Sequence, residues 1–359
     1  MAKNQSTLSE GDRAVISALQ VAPRASWSDV GEALGISGVT AARRWKRLSD
    51  TGTAWVTASP GMTRRGEQCI VYVEIDCAPA RRIEVAHQLA QHELVLSVEI
   101  TTGSADILLT VGAPDLATLS HYLLDRLGSM PEVTRTRARI ATQIYTEGSS
   151  WRLTALGEEA LRVLRRAGAE LKPTAADAAP ARPMTPDLRA VARLMTVNGR
   201  ASYAELAEAT GLSQTTVRRH VNWLIGSGTL LPRTDLSTEL SGSPVQLYLW
   251  AAAPVGGLLE VAKALAGMRQ VRLVATTSSA PSMVICAWLH TVEEVHRFEQ
   301  SVARGLQELQ IVDRLVVLRT VKRMGRLVDA NGRAVGVVPI NVWDTSPAWD
   351  TPTAPGVAV

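Results

Sequence analysis

Cysteine is scarce in this chain: Cys69, Cys77 and Cys286 are the only three, and none forms a C-x-x-C pair. That excludes a disulfide framework and fits a reducing compartment. Cys69 and Cys77 would stand about 27 Å apart on one extended strand, too far to share a metal. No stretch of about 20 apolar residues occurs, so no helical membrane span is expected. The opening Met1–Ser6 lacks an apolar h-region, so no secretory signal is expected. Catalytic signatures are missing as well: there is no Walker loop, no G-x-G-x-x-G and no G-x-S-x-G. His87 and His92 are five apart and would not share a helix face as zinc ligands do, and His121, His290 and His296 stand alone. The expectation is a cytoplasmic protein that is not an enzyme, with no catalytic residue, no metal and no cofactor. Net charge is weak too, at +4, and does not by itself argue for nucleic acid.

What is present is a duplication. The 359 residues suggest two to four domains at roughly 100–200 residues each. Residues 24–37 read RASWSDVGEALGIS and residues 200–213 read RASYAELAEATGLS. The offset, 176 positions between the turn glycines Gly35 and Gly211, holds without a gap from Ser9/Thr185 to Gly52/Gly228, and again at Tyr72/Tyr248. A local motif would not keep register that long. The chain reads as two fused copies of one two-domain protein.

Each copy opens with helices. Ala14, Val15, Ala18 and Leu19 share a face at helical spacing, and Pro23 ends that helix. Ser26 with Asp29 caps a second, and Gly35 supplies the positive φ that closes it. Ser37 caps a third, closed by Gly52. Ser202, Gly211, Ser213 and Gly228 repeat the pattern. The period then changes. Cys69–Ile75, Ala80–His92, Leu94–Thr101, Ile107–Gly112, Asp115–Leu127 and Val133–Tyr145 read as βαββαβ, a ferredoxin-like order. The second copy repeats it in Val245–Trp250, Leu258–Gly267, Val271–Thr276, Met283–Leu289, Val292–Arg304 and Ile311–Thr320. The fold class predicted is α+β: two winged-type helix-turn-helix domains alternating with two βαββαβ domains. The boundaries are 1–57 and 66–147 for the first copy, 148–184 for a helix (Thr154–Ala167) and Ala/Pro linker, 185–236 and 244–323 for the second copy, and 324–359 for a hairpin on Asn331-Gly332 and a mobile tail.

In a helix-turn-helix the third helix packs on one face and enters the major groove with the other. Ala41, Trp45 and Leu48, and Val217, Val221 and Leu224, are spaced to face inward. The first outward face offers Ser37, Gly38, Val39, Thr40, Arg43, Arg44, Lys46 and Arg47. The second offers Ser213, Gln214, Thr215, Thr216, Arg218, Arg219, His220 and Asn222, with Trp223 outward. Arginine pairs bidentately with guanine, and glutamine or asparagine with adenine; the remaining cations would neutralise phosphate. Arg64, Arg65 and Arg233 are further candidate backbone contacts, and His220 is placed near phosphate. Exposed arginines are often only solvated, but four basic residues lie within positions 43–47. The second face is less basic.

These residues resemble the leucine-responsive/AsnC family of regulators. The resemblance is carried by Asp12-Arg13, Ile16, Leu19, Val30–Ser37, Arg44, Leu48 and Gly52, and in the second copy by Leu206-Ala207-Glu208, Gly211-Leu212-Ser213, Leu224 and Gly228. The downstream βαββαβ is similar to that family's effector-sensing (RAM) domain. The resemblance implies double-stranded DNA and an amino acid or related metabolite as partners, dimerisation through the sheets, further assembly of pseudo-dimeric chains into a homo-oligomer, and a nucleoid location. It also implies an effector loop of the form Gly-x-x-Asp, matched by Thr102, Gly103, Ser104 and Asp106; the same residues would equally serve to make and cap a turn. The second copy reads Thr277–Ser282 with neither Gly nor Asp. Siroheme decarboxylases share the two-domain plan, sometimes fused, but are expected to carry Arg-Phe-Gly and Trp-Pro-Tyr-Asn strings, and neither occurs here. A co-regulatory subunit without DNA binding is the third reading.

Overall fold

The computed structural model describes residues 8–61, 68–153, 156–169 and 183–344. Arg64, Arg65, most of the Ala/Pro linker and the tail beyond Asp344 lie outside the described residues.

The first copy begins with α1 (Glu10–Val21), α2 (Trp27–Leu34) and α3 (Gly38–Asp50). Ser9, Ser26 and Ser37 each accept a hydrogen bond from the backbone three residues on, which satisfies donors that a helix start leaves unpaired. Val15, Ile16, Leu19, Val30, Ala41, Trp45 and Leu48 form the shared core. The helix predicted before the linker is α6 (Glu158–Ala169), and it packs on α1 and α2 with Leu164 fully buried. It is therefore a fourth helix of this unit. The second copy repeats the trio as α7 (Pro186–Val197), α8 (Tyr203–Thr210) and α9 (Gln214–Gly226) around Val217, Val221 and Leu224. Here Ser202 and Glu205 complete a reciprocal capping box.

The sheet domains follow the predicted order: β2 (Cys69–Cys77), α4 (Arg82–Ala90), β3 (Val95–Thr101), β4 (Ile107–Ala113), α5 (Leu116–His121, continued by a wider π turn to Leu127) and β5 (Val133–Thr146). The second set is β7 (Val245–Ala252), α10 (Leu258–Ala266), β8 (Val271–Thr277), β9 (Met283–Leu289), α11 (Glu294–Gly305) and β10 (Gln310–Arg323). One face of each sheet meets its helices: Val71, Val73 and Ile75 pack with Val85 and Leu89, and Leu247 and Leu249 with Val261 and Phe298. The other face turns to the opposite sheet, which places Tyr72 edge-on against Trp250 at 6.4 Å between ring centres. Strands buried on both faces read as near-continuous apolar runs.

The two sheets close into one eight-stranded ring, β10-β3-β4-β2-β5-β8-β9-β7, because β10 also pairs with β7. Closure depends on the length of β5 and β10. The first part of β5 pairs with β2, and residues from Ala141 onward pair with β8 of the other copy. β10 pairs with β7 up to Val316 and with β3 from Val317. Ala141↔Thr277 and Val317↔Thr101 are the same contact under the 176-residue offset. The edges that a lone four-stranded sheet would leave open are thereby paired.

A second seam was not expected from the sequence. After each trihelical unit comes a strand, β1 (Ala54–Pro60) or β6 (Leu230–Leu236), and the two pair antiparallel with Thr57 opposite Arg233. Those two residues are equivalent under the duplication, so the pseudo-twofold axis passes through their pair. The predicted hairpin is present as β11 (Arg326–Val328) and β12 (Ala334–Val337), with Gly332 at φ 72° in its turn.

Candidate nucleic-acid interface

The two helix-turn-helix units are held to each other by exchanged arginines. Arg24 donates to the carbonyls of Gly199 and Ala201 at 2.6 and 3.0 Å, and Arg200 donates to those of Pro23 and Ala25 at 2.6 and 2.9 Å. Arg200 also lies 4.1 Å from the ring centre of Trp27, and Arg24 lies 5.7 Å from that of Tyr203. Every member of one set is the 176-residue equivalent of a member of the other. This is an isologous interface inside one chain, and it relates α3 to α9 by the same pseudo-twofold.

The outward faces separate into groups. Val39, 80 % exposed, Arg43, Lys46 and Arg47 stand out on α3; Gln214, Thr215, Arg218, Arg219 and Asn222 stand out on α9. Ser37 and Ser213 are exposed and cap their helices, and their hydroxyls meet those of Thr40 and Thr216. Lys46 pairs with Asp50 at 2.7 Å, both largely solvated.

Arg44 and Arg47 have a duty that the sequence reading missed. They reach Asp12 of α1 at 3.4 and 2.6 Å, and Asp12 is only 4 % exposed. Burial alone would raise that carboxyl. Hydrogen bonds from Ser9 and Arg47, the Arg47 charge and a hydrogen bond from Arg44 outweigh it and hold Asp12 below its ordinary value. Pairings across 32 and 35 residues leave no local signal.

Three expectations are corrected. His220 is not on the groove face: it is 4 % exposed, beside Val217, Val221 and Leu224. The duplication places it where the first copy has Arg44, but α9 turns that position into the core. Trp223 is not outward either; it packs partly buried against that core. Arg233 does not reach outward. It is buried, with Asp235 at 2.8 Å and Glu147 at 2.9 Å.

The loop between β3 and β4 is a seam element. Gly103 sits at φ 93°, and a Cβ there would meet the Arg314 carbonyl at 2.5 Å, so glycine is required twice over. The Thr102 amide donates to Val316 of β10 at 2.9 Å, and the Ser104 hydroxyl bonds Asp313. Thr102, Gly103 and Ser104 are nevertheless exposed. Asp106 accepts from the Cys77 amide at 2.9 Å and pairs with Arg82. Its turn-capping role is thus visible. In the second copy the Ser278 amide repeats the Thr102 contact, donating to Ile140 at 2.9 Å, without a carboxylate at the Asp106 position.

Comparison with known proteins agrees with this layout. Residues 8–49 match the AsnC-type helix-turn-helix domain, residues 70–151 the Lrp/AsnC ligand binding domain, and residues 188–230 a winged helix-turn-helix DNA-binding model. An uncharacterised HTH-type transcriptional regulator of Pyrococcus horikoshii is 27 % identical over 142 residues, 39 % of this chain and 90 % of that protein. The HTH-type transcriptional regulator FL11 of Pyrococcus abyssi is 27 % identical over 142 residues, 39 % of this chain and 93 % of its own length. Each relative thus has the length of one copy. A solved structure of the siroheme decarboxylase NirDL superposes with TM-score 0.53 at 11 % identity, covering 88 % of this chain and 93 % of that one. At that identity the likeness concerns the fold alone. No helix among the described residues is long and apolar enough to cross a membrane. The first copy thus carries a helix-turn-helix of the AsnC type followed by an Lrp/AsnC ligand binding domain, and the second opens with a winged helix-turn-helix.

Proposed function

We propose that this chain is a sequence-specific, DNA-binding transcriptional regulator whose two unlike recognition helices address the two halves of one imperfect palindrome. The carrying observation is the reciprocal Arg24/Arg200 docking, which fixes α3 and α9 as a twofold-related pair. A twofold pair of recognition helices matches a two-half-site operator. Arg43, exposed and without an ion pair among the described residues, is the base or phosphate contact of α3; Gln214, Arg218, Arg219 and Asn222 serve α9. Arg44 and Arg47 divide their charge between DNA and Asp12.

The effector is an amino acid or related metabolite, taken at Thr102, Gly103, Ser104 and Asp106. Its ammonium would compete with Arg82 for Asp106. Because this loop rests on β10 of the other copy, occupancy would shift one copy against the other. Chains associate further into a homo-oligomer.

The test is a genomic-fragment pull-down with and without an amino-acid panel, followed by salt titrations of Arg43→Ala with Lys46→Ala. That pair leaves the Asp12 contacts intact. The expected result is weaker operator binding and a salt slope reduced by about two; unchanged affinity and slope would remove α3 from the interface. The decarboxylase fold likeness gives a second reading, checked by absorbance after mixing with siroheme. Binding with loss of carboxylate groups would replace the regulator reading.

A further inference from the structure

The first turn of α3 is unlike that of α9. It reads Gly38-Val39-Thr40, where the 176-residue equivalents are Gln214-Thr215-Thr216. Gly38 packs against the start of α2: a Cβ there would meet the Trp27 carbonyl oxygen at 2.9 Å. The hydroxyls of Ser37 and Thr40 bond each other at 2.9 Å. What this turn presents outward is therefore the Val39 isopropyl group, 80 % exposed. An exposed valine alone would mean little. Among the described residues of both trihelical units, however, it is the one large apolar side chain left so exposed, and it stands where a recognition helix meets base edges. Ala42, half-buried, and Arg43, exposed, follow on the same stripe at i+3 and i+4. In α9 those two places hold Arg218 and Arg219, both exposed. Thus α3 opens on an apolar patch that runs into a cation, whereas α9 opens on an amide and a hydroxyl that run into guanidinium groups.

We propose that Val39, with Ala42 beside it, reads the 5-methyl group of a thymine in the half-site that α3 addresses, and that the half-site of α9 is read without this requirement. On the major-groove edge of the bases the thymine methyl is the apolar group among donors and acceptors. A donor or acceptor set against an isopropyl group would lose its water and gain no partner, which is costly. A methyl group in the same place loses only the water that apolar surface is better without. Val39 therefore discriminates both by the group it accepts and by the groups it would leave unpaired.

The two halves of the operator are then told apart by chemistry as well as by strength of grip. In α9 the Val39 position is Thr215, which keeps one methyl but sets a hydroxyl beside it, and Gln214 adds an amide where α3 has only the packed Gly38. An amide of this kind pairs with adenine. Arg43, one turn beyond Val39 and exposed, is left to fix a neighbouring guanine or phosphate. This assignment rests on the DNA-binding reading and adds to it the base chemistry that marks the first half-site.

Deoxyuridine differs from thymidine by that methyl alone and pairs in the same way. An operator recovered by the genomic pull-down would be rebuilt with deoxyuridine for every thymidine of one half-site, or of the other, and titrated with the full chain. One substituted operator should bind about fourfold more weakly, the effect of withdrawing one methyl from contact, and the other should bind as the parent does. In Val39→Ser the parent operator should drop to the affinity of the weakened one and the difference between them should vanish; Val39→Ile and Arg43→Ala should both keep it. The salt slope of Val39→Ser should equal that of the wild type, because an isopropyl group neutralises no phosphate. Thermal melting shows that the variants are folded. Equal affinity for all three operators, methyl sensitivity retained in folded Val39→Ser, or a reduced salt slope in that variant would each overturn the assignment while leaving DNA binding in place. Recovery of no fragment at all would remove the regulator reading and this assignment together.

Discussion

Arg24 and Arg200 each reach across the pseudo-twofold axis and hydrogen-bond two backbone carbonyls that flank the other. Both are half-buried, and between them they donate a hydrogen bond to each of the four carbonyls. Arg24→Ala combined with Arg200→Ala should lower stability by about 2 kcal/mol or more per site, in the range for charged hydrogen bonds. It should also let the helix-turn-helix pair swing apart. Urea melts read the first effect and small-angle scattering the second; a double variant with wild-type melt and shape would show that β1–β6 pairing alone holds the units.

Asp12→Asn removes the carboxylate on which Arg44 and Arg47 converge. The folded Asp12 carboxyl is held below its ordinary value, so its contribution is present above the ordinary carboxylate range and is lost as pH falls through the folded value. The variant should be less stable near neutral pH by about 1–3 kcal/mol. The gap should close in strong acid. Denaturant melts from pH 7 down to pH 3 check both statements.

His92 is half-buried, its Nδ1 3.0 Å from the Tyr122 hydroxyl and its carbonyl 2.9 Å from the Lys322 ammonium. Burial, then the charges of Arg126 and Lys322, push it down to about 4. Between about 4 and the ordinary 6.5 the unfolded chain binds more protons than the folded one, so this histidine makes stability fall as pH falls through that window. Glu99, pushed up to about 8 by burial despite the charge of Arg323, acts in the opposite sense between 4.5 and 8. The difference between wild type and His92→Gln isolates the histidine. It should change with pH between 6.5 and 4 and level off outside that window.

Gly103→Ala should destabilise the seam by about 1–3 kcal/mol, from the φ of 93° together with the Arg314 carbonyl. Gly157→Ala, where nothing lies within 4 Å of the added methyl, should cost nothing measurable. Equal melting shifts for the two would contradict the close packing of the β3–β4 loop on β10.

Most of this architecture was legible because helix and strand periods survive in each copy and the second copy checks the first. Ala41, Trp45 and Leu48 read as core and are core. The failures share a cause. His220 and Trp223 were placed by analogy with the outward face of α3, whereas α9 turns those positions toward the core of its own unit, and Arg233 was placed in a following loop, whereas it lies on β6 where that strand pairs with β1 of the other copy. The recurrence of Arg-Ala-Ser at 24–26 and 200–202 was a usable sign of the exchanged arginines. Nothing local marks the β1–β6 pairing, because two short strands 176 residues apart meet only across the axis.

Thr57 opposite Arg233 shows what fusing two copies makes possible. In a homodimer a residue on the twofold meets itself, so an arginine there would confront a second arginine in a buried place. Joined in one chain, the two positions are inherited separately. One stays a small hydroxyl that donates to Thr196, and the other becomes a buried cation clasped by Asp235 and Glu147. The same freedom lets Glu99 stand where the other copy has Ala275, and Arg272 where it has Leu96. Covalent linkage thus turns a symmetric pair into an obligate heterodimer, able to hold at its centre side chains that no pair of identical chains could accommodate.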